Sequence, residues 1–239
     1  MIVIPMAGRS QRFFDAGYER PKFMLELKGK SVFAHAVESF RAQFETHRFL
    51  FILGPDADAE AFVRGECARL GVRDVTVAPL SGVTSGQAET VAFGLRAANP
   101  AGDPALTIFN IDTFRPGFTF PGGLYDRLDG WLEVFRGEGA NWSYVRPAAD
   151  EAPLALETAE KRPISDLCCT GLYHFARASD FAYALETERA APQARELYVA
   201  PIYNHLIARG QRIGYRLIDR DEVVFCGTPQ EYQELIGRP

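Results

Sequence analysis

Short apolar runs alternate with stretches of helical spacing through the first 112 residues. Ile2 to Pro5, Phe49 to Leu53, Val72 to Val77 and Ala105 to Ile111 read as buried strands. Between them, Ser31 stands before Val32, Phe33, Ala36, Val37 and Phe40, a cap followed by apolar residues at helical spacing. Asp58 to Leu70 repeats that spacing and stops at Gly71, a natural helix end. Gln87 to Ala98 is a third helix, with Val91, Ala92 and Leu95 on one face. Parallel strands need long crossover connections, so this alternation calls for an α/β fold. The expectation is a Rossmann-like, mixed, mainly parallel central sheet flanked by helices. Ligands of such sheets gather beyond the carboxyl ends of the strands. The polar loops 8–22 and 110–114 fall there.

The second half changes character. Trp131 to Phe135, Asn141 to Val145, Leu154 to Ala159 and Gly171 to Phe175 read as strands separated by loops. Ser179 to Arg189 and Arg195 to Ala208 have helical spacing. Arg212 to Leu217 and Val223 to Cys226 are strands, and Thr228-Pro229 opens a last helix. No internal repeat or low-complexity linker interrupts the chain. The most loop-like stretch, 148–153, does not read as a domain boundary, so residues 1–239 are expected to form a single domain.

Composition narrows the function classes. A hydrophobic fraction of 47% and a charged fraction of 24% exclude global disorder. A net charge of −5 argues against nucleic acid or an anionic membrane as the main partner. It leaves room for a phosphorylated small molecule, which needs only two or three local cations. No apolar stretch is long enough to span a bilayer, and the start lacks the basic n-region of a signal peptide. A cytoplasmic location is expected. Cys67, Cys168, Cys169 and Cys226 form no CxxC pair and read as small apolar fillers. His35, His47, His174 and His205 read as structural or exposed.

Two loops carry chemistry on residue type alone. Gly8 lies in a turn after the first strand, where backbone N–H groups can cradle a phosphate. Arg12 and Lys22 add a planar fork and a point charge. A plain turn with solvated basic residues fits the spacing equally well, and no Walker A sequence is present. Asp112, at the end of the fourth strand, is a natural single-carboxylate anchor for Mg²⁺, which takes one or two carboxylates and completes its shell with phosphate and water.

The string Met6-Ala7-Gly8 … Arg12-Phe13, then Gly17-Tyr18 … Pro21-Lys22 and Gly29-Lys30, resembles the opening of the nucleoside-diphosphate-sugar pyrophosphorylases, in the capsule and lipopolysaccharide subgroup. The resemblance extends from Ile2 to Gly227. It implies a glycosyltransferase-A type fold with a nucleotide-binding half, 1–115, and an acceptor-binding half, 116–239. It implies an Mg²⁺-dependent nucleotidyltransferase whose partners are an NTP and a sugar 1-phosphate. The products would be a nucleotide sugar, serving surface polysaccharide synthesis, and pyrophosphate. Ala7 and Gly8 would wrap the triphosphate, Arg12 would neutralise the leaving pyrophosphate, and Lys22 would sit on the α-phosphate. Ser85-Gly86-Gln87-Ala88 resembles the turn whose amide, here Gln87, reads the base. Asn110-Ile111-Asp112 resembles the metal-bearing segment. Glu160 and Lys161 resemble an E-K-P segment that meets sugar hydroxyls and sugar phosphate, with Thr170 and Gly171 lining the same pocket. Tyr198 falls in a Y-x-A-P-x-Y-N segment and would stack on or bond the acceptor.

The match has departures. Ser10 replaces the second glycine of the opening pattern, and Ser31 the usual proline. Relatives carry an Asp before a Gly-Thr-Pro as a second metal ligand; aligned on Gly227-Thr228, that place is Phe225. Asp221 and Glu222 lie a few residues upstream. A single helix follows, and a bifunctional form with an acetyltransferase β-helix is not expected. A cytidylyltransferase for phosphocholine, caged by Trp142, Tyr173 and Tyr198, is one alternative, and a non-catalytic nucleotide binder is another. The base, the sugar and the oligomeric state, a homo-oligomer included, stay open.

Overall fold

The computed structural model describes residues 1–56, 58–148, 153–192 and 194–237. Residues 149–152 of the loop-like stretch lie outside the described residues. The chain divides into two compact units. One comprises 2–83, 109–119 and 221–239; the other comprises Met1, 84–108 and 120–220.

The first unit is built on three parallel strands, Ile2–Met6, Arg48–Leu53 and Asp74–Pro79, with Arg48–Leu53 in the middle. Ile2–Met6 is buried along its length, as is Arg48–Leu53 after its first residue. That is the signature of parallel strands covered on both faces. Helices Val32–Glu38 and Ala59–Leu70 pack against each other, and Ala59–Leu70 lies on the strands. The Ser31 hydroxyl accepts from Ala34 N at 3.0 Å, confirming the cap, and Gly71 closes the second helix at φ 81°. The third strand starts two residues later than its apolar pattern suggests, because Val72 closes the helix end by bonding Cys67 O.

Three short elements escape apolar patterning. Gln11–Asp15 is a five-residue helix, and Glu26–Leu27 pairs with Lys30–Ser31 in a tight hairpin. Thr113–Phe114 forms an antiparallel ribbon with Val224–Phe225, Thr113 opposite Phe225. The last helix, Pro229–Gly237, starts on proline as expected. Its Tyr232 ring packs against Phe13 and Tyr18 at centroid distances of 6.1 and 5.5 Å, fastening the opening loop to the C-terminal segment.

The second unit is a mixed sheet. Ala155–Glu160, Ser143–Pro147 and Leu167–Phe175 lie side by side and antiparallel. Gly130–Arg136 pairs antiparallel with Leu167–Phe175 and parallel with Ile213–Ile218. Leu167–Phe175 begins earlier than its expected start at Gly171. Its register breaks between Cys169 and Tyr173, and Gly171 sits there at φ 94°. Helices Ala178–Ala190 and Val199–Ala208 pack together, and Val199–Ala208 covers Ala155–Glu160. The expected helix from Arg195 starts only at Val199. The backbone of Leu197 is committed elsewhere, donating to Ser85 O at 3.0 Å and accepting from Ala88 N at 2.8 Å. All four cysteines are free and buried.

Candidate active site

In the first unit, Lys22, expected at the triphosphate, meets Asp112, expected at the metal. Lys22 Nζ donates to Asp112 Oδ2 at 2.5 Å, with 21% and 24% of the two side chains exposed. Ninety residues of sequence separate them, so only the fold brings cation and carboxylate together. The C-terminal segment closes over the same residue: Cys226 N donates to the backbone carbonyl of Asp112 at 2.8 Å. A Cβ placed on Gly227 would lie 2.9 Å from Asp112 Oδ2. Burial, and then the Asp112 carboxylate, push the Cys226 thiol up to about 12, so it stays a neutral neighbour.

Gly8 is exposed, and its backbone stays outside the left-handed region. Ser10 has a left-handed backbone instead, at φ 51° and ψ 26°. Its hydroxyl accepts from Lys22 N at 3.1 Å, anchoring the lysine's backbone. Serine thus occupies the family's second-glycine position at a backbone cost, and it returns a hydrogen bond that glycine cannot make. Ala7 is half-buried, its carbonyl 3.3 Å from where a Cβ on Gly54 would stand. Arg12 is exposed, as are Arg9 and Arg20, and none of the three has a side-chain partner among the described residues. Three uncommitted guanidinium groups on one loop are suited to a polyanion.

The Phe225 position holds phenylalanine in the ribbon opposite Thr113. Of the upstream carboxylates, Glu222 lies 3.7 Å from the buried Arg115, which also bonds Glu222 O at 2.5 Å. Glu231 Oε2 accepts from Gly227 N, Thr228 N and Thr228 Oγ1 at 2.9 to 3.0 Å. It is the capping-box acid of the last helix, readable in sequence as Thr228-x-x-Glu231. Among the described residues no group of three or more His, Cys, Asp or Glu side chains is placed to hold a metal. Asp112 alone, with phosphate and water, fits the habit of Mg²⁺.

In the second unit, Gln87 opens helix Gln87–Ala98 and is half-buried. Gly86 before it has φ 153°, and a Cβ there would stand 2.5 Å from Leu197 O. The turn and Tyr198 are therefore stitched together through Leu197. Lys161 Nζ donates to Tyr198 Oη at 2.8 Å and lies 4.8 Å from its ring centre. That bond raises the Lys161 pKa. Glu160 ends its strand, 11% exposed, with Oε1 4.0 Å from Lys161 Nζ and its other oxygen accepting from Ser143. Burial raises the Glu160 pKa. Thr170 is buried and bonds Glu133 Oε1 at 3.2 Å, beside the irregularity at Gly171. Bulges of this kind commonly aim side chains at a site. Of the three rings proposed for a choline cage, Tyr198 holds a lysine, Tyr173 is 4% exposed, and Trp142 donates to Glu138 O at 3.2 Å and packs edge-on against Phe135.

A separate cavity of about 840 Å³ in the first unit is lined by Leu27, Phe114, Phe118, Val224 and Leu235. At its rim Lys30 and Arg41 both pair with Glu38, at 2.7 and 2.5 Å. None of the candidate catalytic, nucleotide, acceptor or metal residues lines it.

No protein-family model and no curated protein matches the chain. Solved structures do. The chain is 48% identical to a nucleoside-diphosphate-sugar pyrophosphorylase from Vibrio cholerae RC9, covering 100% of both chains, with a TM-score of 0.96. A UDP-glucose pyrophosphorylase complexed with UDP-glucose matches at 14% identity, 98% of this chain, 96% of that one and a TM-score of 0.75. An inositol-1-phosphate CTP transferase from T. maritima matches at 11% identity, 98% and 94% coverage and a TM-score of 0.71. The last two share the fold.

Proposed function

The chain belongs to the nucleoside-diphosphate-sugar pyrophosphorylases, and from that premise we propose how its residues divide the work of joining an NTP to a sugar 1-phosphate. The observation that carries the assignment is the Lys22–Asp112 pair, a cation and a carboxylate held 2.5 Å apart at the turn between strands Leu106–Phe109 and Thr113–Phe114.

The attacking group is a phosphate oxygen of the sugar 1-phosphate, already anionic at neutral pH, so no side-chain nucleophile is needed. It attacks the α-phosphorus, and the bond to the bridging oxygen breaks to release pyrophosphate. Negative charge grows on the non-bridging and leaving oxygens, and cations aimed there lower the barrier. Arg12, uncommitted and exposed, meets the leaving pyrophosphate, while the Ala7–Gly8 backbone cradles it. Lys22 exchanges Asp112 for the α-phosphate, its backbone held by Ser10. Asp112 is the residue that would hold Mg²⁺, which would supply charge neutralisation at the phosphates. Gln87 offers a donor and an acceptor to the base edge. Glu160 accepts from sugar hydroxyls, Lys161 meets the sugar phosphate, and Gly171 and Tyr198 shape the acceptor pocket.

On this reading residues 1–115 serve mainly the nucleotide and 116–239 the acceptor. The nucleotide sugar would feed surface polysaccharide synthesis from the cytoplasm. No helix among the described residues is long and apolar enough to cross a membrane.

The test is pyrophosphate release with Mg²⁺ across ATP, CTP, GTP, UTP and dTTP against sugar 1-phosphates and phosphocholine. Turnover of one NTP with one sugar 1-phosphate, abolished in Asp112→Ala at nearly unchanged Tm, supports the assignment. Turnover with phosphocholine alone refutes the acceptor class. Nucleotide binding without release from any acceptor refutes the catalytic role.

A further inference from the structure

We propose that Asn204 is a positioning residue for the acceptor-binding pair Glu160–Lys161, an inference that rests on the acceptor role given to that pair above. The strand Ala155–Glu160 pairs with Ser143–Pro147 along one edge. On its other edge, both backbone groups of Thr158 go to a single side chain. Asn204 Oδ1 accepts from Thr158 N at 2.8 Å, and Asn204 Nδ2 donates to Thr158 O at 2.9 Å. The Thr158 hydroxyl shares its proton between Ala200 O at 2.7 Å and Asn204 Oδ1 at 3.1 Å. A carboxamide here reproduces the donor and acceptor that a neighbouring strand would present.

The consequence reaches the acceptor pair because the same helix holds the strand twice. Asn204 lies within helix Val199–Ala208, and Tyr198 is that helix's N-cap residue. Tyr198 Oη accepts from Lys161 Nζ at 2.8 Å, three residues beyond Thr158. Glu160 comes between, its carboxylate fixed by Ser143. Lys161 has a left-handed backbone, φ 54°, so the strand turns sharply there and the lysine's direction depends on where the strand ends. Asn204 sets the register of the strand against the helix. Tyr198 then receives the lysine at a fixed distance. Neither aspartate nor leucine can do this. Aspartate lacks the donor and sets a carboxylate against the Thr158 carbonyl; leucine leaves both buried backbone groups unpaired.

The experiment uses the full chain with the NTP and sugar 1-phosphate that the wild type turns over. In Asn204→Asp, KM for the sugar 1-phosphate rises about tenfold, while KM for the NTP and kcat stay within about twofold. Combined with Lys161→Ala, the effect on acceptor KM is strongly sub-additive, because both changes act on one lysine. Amide hydrogen exchange accelerates at Thr158 and along 157–161. If Asn204→Asp fails to fold, Thr158→Val removes only the hydroxyl bonds and raises acceptor KM about threefold. An unchanged acceptor KM with a lowered Tm, or full additivity with Lys161→Ala, overturns the proposal. A wild type silent on every sugar 1-phosphate overturns the acceptor reading instead, and the exchange pattern still decides whether Asn204 holds the strand.

Discussion

Replacing Gly227 by alanine separates stability from catalysis in this protein. The backbone of Gly227 lies outside the left-handed region, so alanine is allowed there on conformational grounds. The cost falls on one contact. The new Cβ would lie 2.9 Å from Asp112 Oδ2 and 3.5 Å from its Cγ. Ordinary carbon–oxygen packing needs roughly half an ångström more. The backbone cannot easily yield it, since Gly227 N is bonded to Glu231 Oε2 at 2.9 Å and Cys226 N to Asp112 O at 2.8 Å. The Asp112 carboxylate turns away, and its 2.5 Å pair with Lys22 opens. A partly exposed pair is worth at most about 1 kcal/mol, which in a chain of this size lowers Tm by about 2 to 4 °C. A catalytic group displaced by about 1 Å costs on the order of a hundredfold in rate. Gly227→Ala is therefore expected to fold, melt slightly early and lose about two orders of magnitude in kcat. Pyrophosphate release at saturating substrates across a Mg²⁺ titration, beside a thermal melt, measures both effects. A kcat within threefold of wild type would show that the Asp112 orientation is not what Gly227 protects.

Three further outcomes follow from single contacts. Ser10→Ala keeps the left-handed backbone and loses the bond to Lys22 N, so it should cost about 1 kcal/mol. Ser10→Gly also loses the bond but relieves a comparable strain, so its stability should match wild type. Both should raise KM for the NTP several-fold, and wild-type kinetics in Ser10→Gly would remove the hydroxyl from the site. Glu160 is held above its ordinary pKa by burial. A raised carboxyl favours folding only while protonated, and that contribution is lost as pH rises through the folded pKa. Glu160→Gln should thus be more stable than wild type at neutral pH, lose that advantage below the ordinary glutamate pKa, and bind the sugar 1-phosphate worse; denaturant melts at both ends of the range check it. His174, stacked on Trp131 and bonded to Thr107, is pushed by burial down to about 4. It folds neutral, so its contribution is present above an unfolded pKa of about 6.5 and lost as pH falls from there toward 4. The loss is up to about 3 kcal/mol, and urea titrations of His174→Phe should show a flatter profile in that window.

Much of this protein was legible because its information is local. Apolar periodicity marked the helices near Ser31, Asp58 and Gln87, since burying one face is a condition met residue by residue along the chain. Ser31 and Gly71 announced helix ends, because capping uses groups within a turn of the end. Asp112 was readable as a carboxylate placed behind a buried strand, although that strand, Leu106–Phe109, ends three residues before it and Asp112 lies in the turn that follows. The departure at Phe225 was visible too, and the ribbon opposite Thr113 shows that no other carboxylate was moved into its place in the pairing.

Other features depend on chain segments far apart in sequence. Nothing near Lys22 announces Asp112, and nothing near Gly227 announces the carboxylate that forbids it a side chain. Gly86 looks like an ordinary helix opener until Leu197 is found against it. The helix expected from Arg195 starts late because Leu197 bonds the turn at Ser85 and Ala88, a competition local propensity cannot register. Ser10 read as a lost glycine, whereas its backbone angle and its bond to Lys22 make it an anchor. Tyr198 read as a ligand contact and is occupied by Lys161. Residue type and spacing are enough to determine the longer elements and which chemistry the side chains can supply. Which cation meets which carboxylate, and which glycine must stay bare, was decided by tertiary structure. Those contacts join segments tens to hundreds of residues apart, and their energies exist only once the chain has closed around them.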